Sequence, residues 1–461
     1  MPSVSPLLET QLLSRHYSSL PQELQARGLV ADLTTGPDAF AEFLQTPRTI
    51  YCGIDPTAGS LHVGNLVPLL TLFAFQLKGH QTIALLGGAT GLIGDPSGRD
   101  EERPLQTLEA VQKNSASIQE QLQSFFANAS VYAEKRSASG NVTQRPVVFA
   151  NNLNWWKDLS LVDFLHSSGK FVRVSSMLAR ESVKNRMASS SGISFSEFSY
   201  QLLQAHDFWH LYRHNECRIQ IGGSDQWGNI VAGLDLIARR EPDIVASEGG
   251  KAFGLTTPLL TTSSGQKFGK SAGNAIWLDR TKTSVFDFYQ FFIRTSDQDV
   301  EKYLRIFSLL SETEIEAIMQ EHKSQPELRM AQRKLACEVT EMIHGESGVV
   351  QAQAATRLLY DTELSNLDPH DAEKALQHDP RYYSADEKDL FDIPLSKLAA
   401  VSGLSRSRGE AVRLIEAGGL YLNHVAVSGK DRKLQPTDLL GNRIAILRAG
   451  KDKYVLLALK Q

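Results

Sequence analysis

The stretch "YCGIDPTAGSLHVGN", residues 51–65, decides how the chain is read, because it joins a strand to a helix through a turn suited to a ligand. The run up to Ile54 reads as a buried strand, Asp55-Pro56-Thr57 as a turn, and Leu66 to Leu77 as a long apolar helix. At the helix start, His62 and the unhindered Gly64 set an imidazole, backbone N–H groups and the positive dipole end side by side, which suits polyphosphate. The runs "TIYCGI", "TIALLGG", "RPVVFA" and "CRIQIGG" alternate with helical stretches such as "SEFSYQLLQAHDFWHLYRH" as far as about residue 260. Strands separated by helices predict an α/β fold with a parallel sheet covered on both faces.

Two motifs invite other readings, and both fail on spacing. In "GGATGLIGDP", residues 87–96, Gly88, Gly91 and Gly94 have the GxxGxxG spacing of a dinucleotide turn. A dehydrogenase needs that turn to open a helix, and here Pro96 and Gly98 break any helix at once. In "TSSGQKFGKSAGN", residues 262–274, Gly265 to Gly269 encloses three residues where a Walker A loop needs four. What remains is a basic loop, with Lys267 and Lys270 three apart between Ser- and Gly-rich flanks, of the kind that closes over phosphates.

The 461 residues suffice for two to four domains. Cys52, Cys217 and Cys337 form no CxxC pair, which argues against zinc or a disulfide framework and for a reducing compartment. The longest apolar stretch, around Leu66 to Leu77, is too short to span a bilayer. A net charge of −4 hides an asymmetry: residues 391–461 carry 12 Lys and Arg against 6 Asp and Glu. A basic module on an acidic body suits contact with phosphates, the plain alternative being a solvated charged face. "AEKRSASGNVTQRP", 133–146, reads as a surface loop, and "SETE", 311–314, as a capping box within an amphipathic helical stretch. Tyr200, Gln204 and Asp207, at i, i+4 and i+7, share one helical face, where their burial is costly unless they serve each other or a ligand.

"HVGN" followed some two hundred residues later by "KFGKS" resembles the paired HIGH and KMSKS signatures of class I aminoacyl-tRNA synthetases. With "YCGIDPT", "GGATGLIGDPSG", "SFSEFSYQLLQAHDF" and "IQIGGSDQWGN", the chain from about residue 20 is similar to the tyrosyl-tRNA synthetases of bacterial and mitochondrial type. The resemblance implies a Rossmann-like catalytic domain over 19–280 with a connective insertion at about 130–200. It also implies an α-helical domain over 281–375, a linker over 376–390 and a small α+β, S4-like RNA-binding domain over 391–461.

The resemblance also assigns roles. Tyr51 and Asp207 would meet the substrate phenol, while Asp95, Tyr200 and Gln204 hold its ammonium group and Thr90, Asn152 and Gln220 line the pocket. A site built to bond a hydroxyl rejects phenylalanine through its own unpaired buried groups, by about 10⁵-fold in this family's own standard example. ATP, travelling with Mg²⁺ and with no tightly bound cofactor or protein metal site, would lie over Gly53, Asp55, His62 and Gly64. Gly223, Asp225 and Gln226 would stand near its ribose, and Lys267, Phe268, Gly269, Lys270 and Ser271 would close over it. Thr57 and Asn65 belong with the first signature, and Arg99 and Arg103 would bear on the pyrophosphate.

Two departures stand out. Asn65 replaces the second histidine of the first signature, and Phe268-Gly269 replaces the Met-Ser of the second, which suggests a more flexible lysine loop. His206, where the family commonly has an aromatic, reads as structural. In the last module Arg406, Arg408, Arg413, Lys430 and Arg432 are the expected contacts to tRNA. The first eighteen residues, Ser- and Leu-rich with Arg15 and one acid, resemble a mitochondrial presequence, hence a matrix location. The expected partners are L-tyrosine, ATP, tRNA(Tyr) and a second copy of the chain, with no membrane. A rival reading, an intron-splicing factor on the same scaffold, is not tested by any residue.

Overall fold

The computed structural model describes residues 20–98, 101, 104–136, 145–189, 192–265, 268–271, 274–360, 368–450 and 453–460. The expected presequence 1–18, Arg99, Arg103, Lys267 and most of the expected loop at 133–146 lie outside the described residues. Residues up to Arg136 continue the helix Leu108–Arg136.

Six strands form the first sheet: β1 (Asp32–Leu33), β2 (Thr49–Ile54), β3 (Gln81–Leu86), β4 (Val148–Asn151), β5 (Cys217–Gly223) and β6 (Phe253–Thr257). Their order is β1-β6-β5-β2-β3-β4, with β2 to β6 parallel and β1 antiparallel on the β6 edge. These strands read as near-continuous apolar runs because a parallel sheet is buried on both faces. From β2 the chain steps outward through β3 to β4, then returns to pair β5 with the other side of β2. The order therefore reverses between β2 and β5, and the crevice beyond their carboxyl ends is where an open α/β sheet takes its ligand.

The alternation along β2 and β3 sends Tyr51, Ile83 and Leu85 into one cluster with Phe208, Leu211 and Tyr212 of helix Phe195–His214 and Ile237 of helix Trp227–Arg240. Helix Leu66–Leu77, apolar along most of its length, packs across β2, β3, β5 and β6. Each such fully buried large side chain contributes about 1.5–3 kcal/mol.

The chain divides into two compact units, Met1–Ala275 with Ser296–Ala331, and Ile276–Thr295 with Gln332–Gln461. The helical stretch expected as one domain over 281–375 is thus shared between them. Helix Val300–Phe307 groups with the first unit because it buries Tyr303, Leu304, Ile306 and Phe307 and packs on helix Leu66–Leu77. After it, Ser311 and Glu314 form the capping box read from "SETE".

Strands β7 (Lys270–Ser271) and β8 (Asn274–Ala275) pair with each other, and in the second unit the described strands run β11-β10-β12-β13-β9, with β9 Tyr382–Ala385, β10 Leu420–Leu422, β11 Val425–Ala426, β12 Ile444–Ala449 and β13 Lys453–Leu459. Alternation puts Ile444, Ile446, Leu456 and Ala458 into one core with Phe286, Leu358, Leu359 and Leu376. Ala445, Leu447, Val455 and Leu457 join a second core with Leu390, Leu398, Ile415 and Leu434. Residues 376–390, expected as a linker, instead supply β9, which pairs in parallel with β13, Tyr382 opposite Leu456. Their apolar alternation is weak, and only the neighbouring strand makes them regular.

Candidate active site

The loops that follow β2, β3, β4 and β5 converge at the switch point, and they carry most of the residues singled out in the sequence. After β2, the Asp55 carboxylate accepts from Thr90 Oγ1 at 2.7 Å and from the Tyr200 hydroxyl at 2.7 Å. The glycines after β3 are there for room: a Cβ on Gly87 would lie 1.9 Å from Asp55 Oδ1, and one on Gly88 2.3 Å from Asn151 Oδ1. Helix Thr90–Ile93 then stops at Gly94, whose φ is +86°, so this glycine run opens no dinucleotide-binding helix.

After β4, Asn152 orders the pocket. Its Oδ1 accepts from the backbone N–H of Ala89 at 2.7 Å, and its Nδ2 lies 2.9 Å from both Thr90 Oγ1 and Asp207 Oδ2. The indole N–H groups of Trp155 and Trp156 both donate to Asp207 Oδ1, at 2.8 and 2.7 Å. Asp207 is 2 % exposed. Burial pushes its carboxyl up to about 7, aided by the charge of Asp55 and opposed by the three donors.

Beside this carboxylate lies a shortfall in hydrogen bonding. The Tyr51 hydroxyl is buried with no partner among the described residues, and so is Gln220 Oε1, which belongs to the residue opposite Tyr51 in the β2–β5 pairing. Buried polar atoms are almost always paired in folded proteins. Both atoms lie on the two neighbouring strands between which the sheet order reverses. Burial, then the charge of Asp207, holds the Tyr51 phenol well above its ordinary value, so it is a neutral donor. Tyr200 is raised likewise, by burial and then by Asp55 and Asp95. Gln204, on the same helical face, is half-buried and takes no part in the network among the described residues.

Asp95 is held by Gln226 Nε2 at 2.7 Å, by the backbone N–H of Ser97 at 2.9 Å and by Asn229 Nδ2 at 3.5 Å. The turn at Gly98 approaches Asp225, with 3.6 Å between the position of a Gly98 Cβ and Asp225 Cβ.

The two signatures meet. His62 Nδ1 accepts from the backbone N–H of Gly64 at 3.1 Å, while Asn65 Oδ1 accepts from the backbone N–H of His62 at 2.9 Å. Asn65 is thus half of a capping box at the start of helix Leu66–Leu77, a task its amide performs. With Nδ1 accepting, the imidazole proton sits on Nε2. Gly269, at φ +88°, touches this turn: a Cβ there would lie 2.7 Å from Val63 Cγ2 and 3.3 Å from the nitrogen of Gly64.

Phe268 takes the place of the signature's methionine. It is buried, 4.6 Å from the ring of Tyr303 and stacked 5.2 Å from that of Phe307. Upstream, Ser263 bonds Asp299 through its backbone N–H and its hydroxyl. Lys270–Ser271 pairs with Asn274–Ala275 in a two-stranded ribbon.

In the second unit Arg406, Arg408, Arg413 and Lys430 are exposed. Arg432 differs: its guanidinium binds both oxygens of Asp438 at 2.8 Å and the carbonyl of Lys433 at 2.7 Å, so it braces its own loop.

Comparison with known proteins settles the family. Residues 44–361 match the class I tRNA synthetases (W and Y), and residues 373–457 match the SYY-like C-terminal domain of tyrosine–tRNA ligases. The tyrosine–tRNA ligase of Geobacillus kaustophilus is 44 % identical over 436 residues, 94 % of this chain and 98 % of its own. The mitochondrial tyrosine–tRNA ligase of Saccharomyces cerevisiae is 42 % identical over 471 residues, covering 98 % of this chain and 92 % of its own. A C-terminally truncated Aspergillus nidulans mitochondrial tyrosyl-tRNA synthetase shares the fold with a TM-score of 0.70 at 36 % identity, over 76 % of this chain and 99 % of its own.

The chain belongs to the tyrosyl-tRNA synthetases. As a tyrosine–tRNA ligase, the synthetase takes ATP as a substrate. Three of its site residues escaped sequence reading. Trp155 and Trp156 stand in "NNLNWW", in the short helix Leu153–Trp156 after β4, where two adjacent indoles in a polar stretch were the available signal. Asn229 closes "DQWGN", and only the fold reveals that it touches Asp95, Ser97 and Gln226.

Proposed function

We propose that the crevice beyond β2 and β5 makes tyrosyl-adenylate, with the substrate phenol between Tyr51 and Asp207. The observation that carries this reading is the buried, unpartnered Tyr51 hydroxyl beside the Asp207 carboxylate. A phenol there donates to Asp207 and accepts from Tyr51, pairing both groups. Asp95 and Tyr200 face the ammonium group, with Gln204, Thr90, Asn152 and Gln220 as lining. ATP lies over Gly53, Asp55, His62 and Gly64, with Gly223, Asp225 and Gln226 near the ribose.

The tyrosine carboxylate attacks the α-phosphorus, the bond to the bridging oxygen breaks, and pyrophosphate leaves. No protein nucleophile is needed, since the work is placement and stabilisation of charge. His62 Nε2–H, Lys267, Lys270 and the backbone at Gly269 and Ser271 supply that stabilisation, with Arg99 and Arg103 on the departing pyrophosphate. A ribose hydroxyl of the 3′-terminal adenosine of tRNA(Tyr) then attacks the tyrosyl carbonyl carbon, the acyl–phosphate bond breaks, and AMP leaves.

The test is tyrosine-dependent exchange of pyrophosphate into ATP. Lys270→Ala should lower its rate far more than tyrosine affinity, because the charge counts most as pyrophosphate departs. Equal losses, or no exchange in the wild type, would overturn the assignment.

The finer reading is an S4-like RNA-binding module carrying Arg406, Arg408, Arg413 and Lys430, in a homodimer of the mitochondrial matrix. The basic excess of residues 391–461 supports the first point. Leu161, Val162, Val174, Met187 and Phe195, exposed apolar side chains within 35 residues of one another in the sequence, support a second copy docking there. The Ser/Leu-rich first eighteen residues and the mitochondrial relatives support the third. Salt-dependent tRNA binding, sedimentation and import into isolated mitochondria test the three in turn.

A further inference from the structure

We propose that Trp156 is a positioning residue for substrate selection, which it exercises by fixing the hydrogen-bonding state of Asp207. The proposal rests on reading Asp207 as the partner of the phenol. An ionised carboxylate offers about four acceptor positions, two on each oxygen. Trp155 and Trp156 donate to Oδ1 at 2.8 and 2.7 Å, and Asn152 donates to Oδ2 at 2.9 Å. One acceptor position is left, on Oδ2. A proton on Asp207 would have to occupy it, at the place where the phenol must donate. The second indole therefore removes the only other seat a proton or a phenol could take on Oδ1.

Both indoles are held from behind, which makes their aim a property of the fold. The Trp155 ring stacks on His210 at 4.2 Å, and the Trp156 ring lies 4.8 Å from His206 and 5.1 Å edge-on from Phe164. His206 is itself tethered through Nδ1 to Ser168 Oγ at 2.9 Å, and that hydroxyl also accepts from Arg240 at 2.8 Å. An indole N–H donates without bringing charge, so it orders the carboxylate while leaving its negative charge for the substrate. The titratable groups around Asp207 are Tyr51 on β2, Asp55 on the following turn, and Tyr200, His206 and His210 on its own helix. Asp55 raises the Asp207 carboxyl, and burial keeps the two histidines neutral near pH 7.

Trp156→Phe keeps a ring between His206 and Phe164 but removes the N–H. Benzothienylalanine at position 156 keeps the indole's size and lacks the same donor. For both variants, pyrophosphate exchange is measured with tyrosine and with phenylalanine between pH 5.5 and 9. We expect the acid limb of kcat/KM for tyrosine to move up by about one pH unit, as loss of a donor to the charged form requires. The KM for tyrosine should rise with little change in kcat, and the preference for tyrosine over phenylalanine should fall about tenfold. If the benzothienylalanine enzyme keeps the wild-type pH profile and preference, the proposal is overturned. Asp207→Asn separates the two levels of argument. Should it retain wild-type preference for tyrosine, the pocket reading itself fails; should it lose preference while the Trp156 variants do not, only the role of Trp156 fails.

Discussion

Tyr51→Phe deletes one oxygen atom, and its effects on stability and on recognition should have opposite signs. The ring stays where it is, 5.3 Å from Phe208 and within the cluster formed with Ile83, Leu85 and Leu211. The lost hydroxyl has no hydrogen-bond partner among the described residues, so the free enzyme is expected to give up no bond. An unsatisfied buried hydroxyl costs about 1–3 kcal/mol, part of which is recovered when it is removed. We expect the free variant to be stabilised by about 1 kcal/mol and its Tm to rise by about 2 °C. With tyrosine bound, the wild type gains a hydrogen bond that the variant lacks, about 0.5–1.5 kcal/mol or roughly 2- to 12-fold in Kd. Phenylalanine loses nothing, so the preference for tyrosine should drop by the same factor. Differential scanning fluorimetry without ligand, calorimetric titration with tyrosine, and pyrophosphate exchange with both amino acids measure the three quantities. A variant destabilised by more than about 1 kcal/mol, with unaltered tyrosine affinity, would refute the reasoning, since the hydroxyl would then be bonded in the free protein and idle in the complex.

Acidification should destabilise the free enzyme below about pH 6.5. Burial depresses His80, His206 and His344 to about 3 and His210 to about 4, so the unfolded chain binds their protons first and stability falls as pH drops through that window. Asp207, raised to about 7, works the other way between about 4 and 7, and Asp207→Asn should steepen the acid loss in pH-dependent melts. Phe268→Ala empties the place against Tyr303 and Phe307 and should slow adenylate formation about tenfold or more with tyrosine affinity nearly kept, read by single-turnover kinetics; an unchanged rate would mean the anchor does not position the lysines. A chain ending at Lys388 should aggregate, because it keeps β9 without β13, the strand it pairs with. One ending at Tyr360 should form tyrosyl-adenylate but not charge tRNA, and efficient charging by it would remove the RNA role of the C-terminal module.

The parts of this synthetase legible in its sequence are those written within a short window. The parallel sheet follows from apolar runs of strand length separated by helical stretches, and the capping box at Ser311 from four consecutive residues. The polar face carrying Tyr200 and Asp207 follows from the helical repeat. Two segments gain their partners only on folding. Phe268 stands where the signature has methionine, and the rings that receive it come from a helix more than thirty residues later. Residues 376–390 looked like a linker and contain a strand, because β13, some seventy residues on, completes it.

The pocket itself divides the same way. Helical spacing nominated Asp207 and the family resemblance nominated Tyr51, but that the Tyr51 hydroxyl lacks a partner among the described residues, that two indoles share one oxygen of Asp207, and that Tyr200 donates to Asp55 are tertiary facts. Tyr200 and Asp55 are 145 residues apart in the chain, and Trp156 and Asp207 are 51 apart. Propensity and periodicity act over one turn of helix or one strand, so a single sequence can state them. Whether a buried polar atom is satisfied depends on which distant segments the sheet order brings to its side, and only the assembled fold decides that.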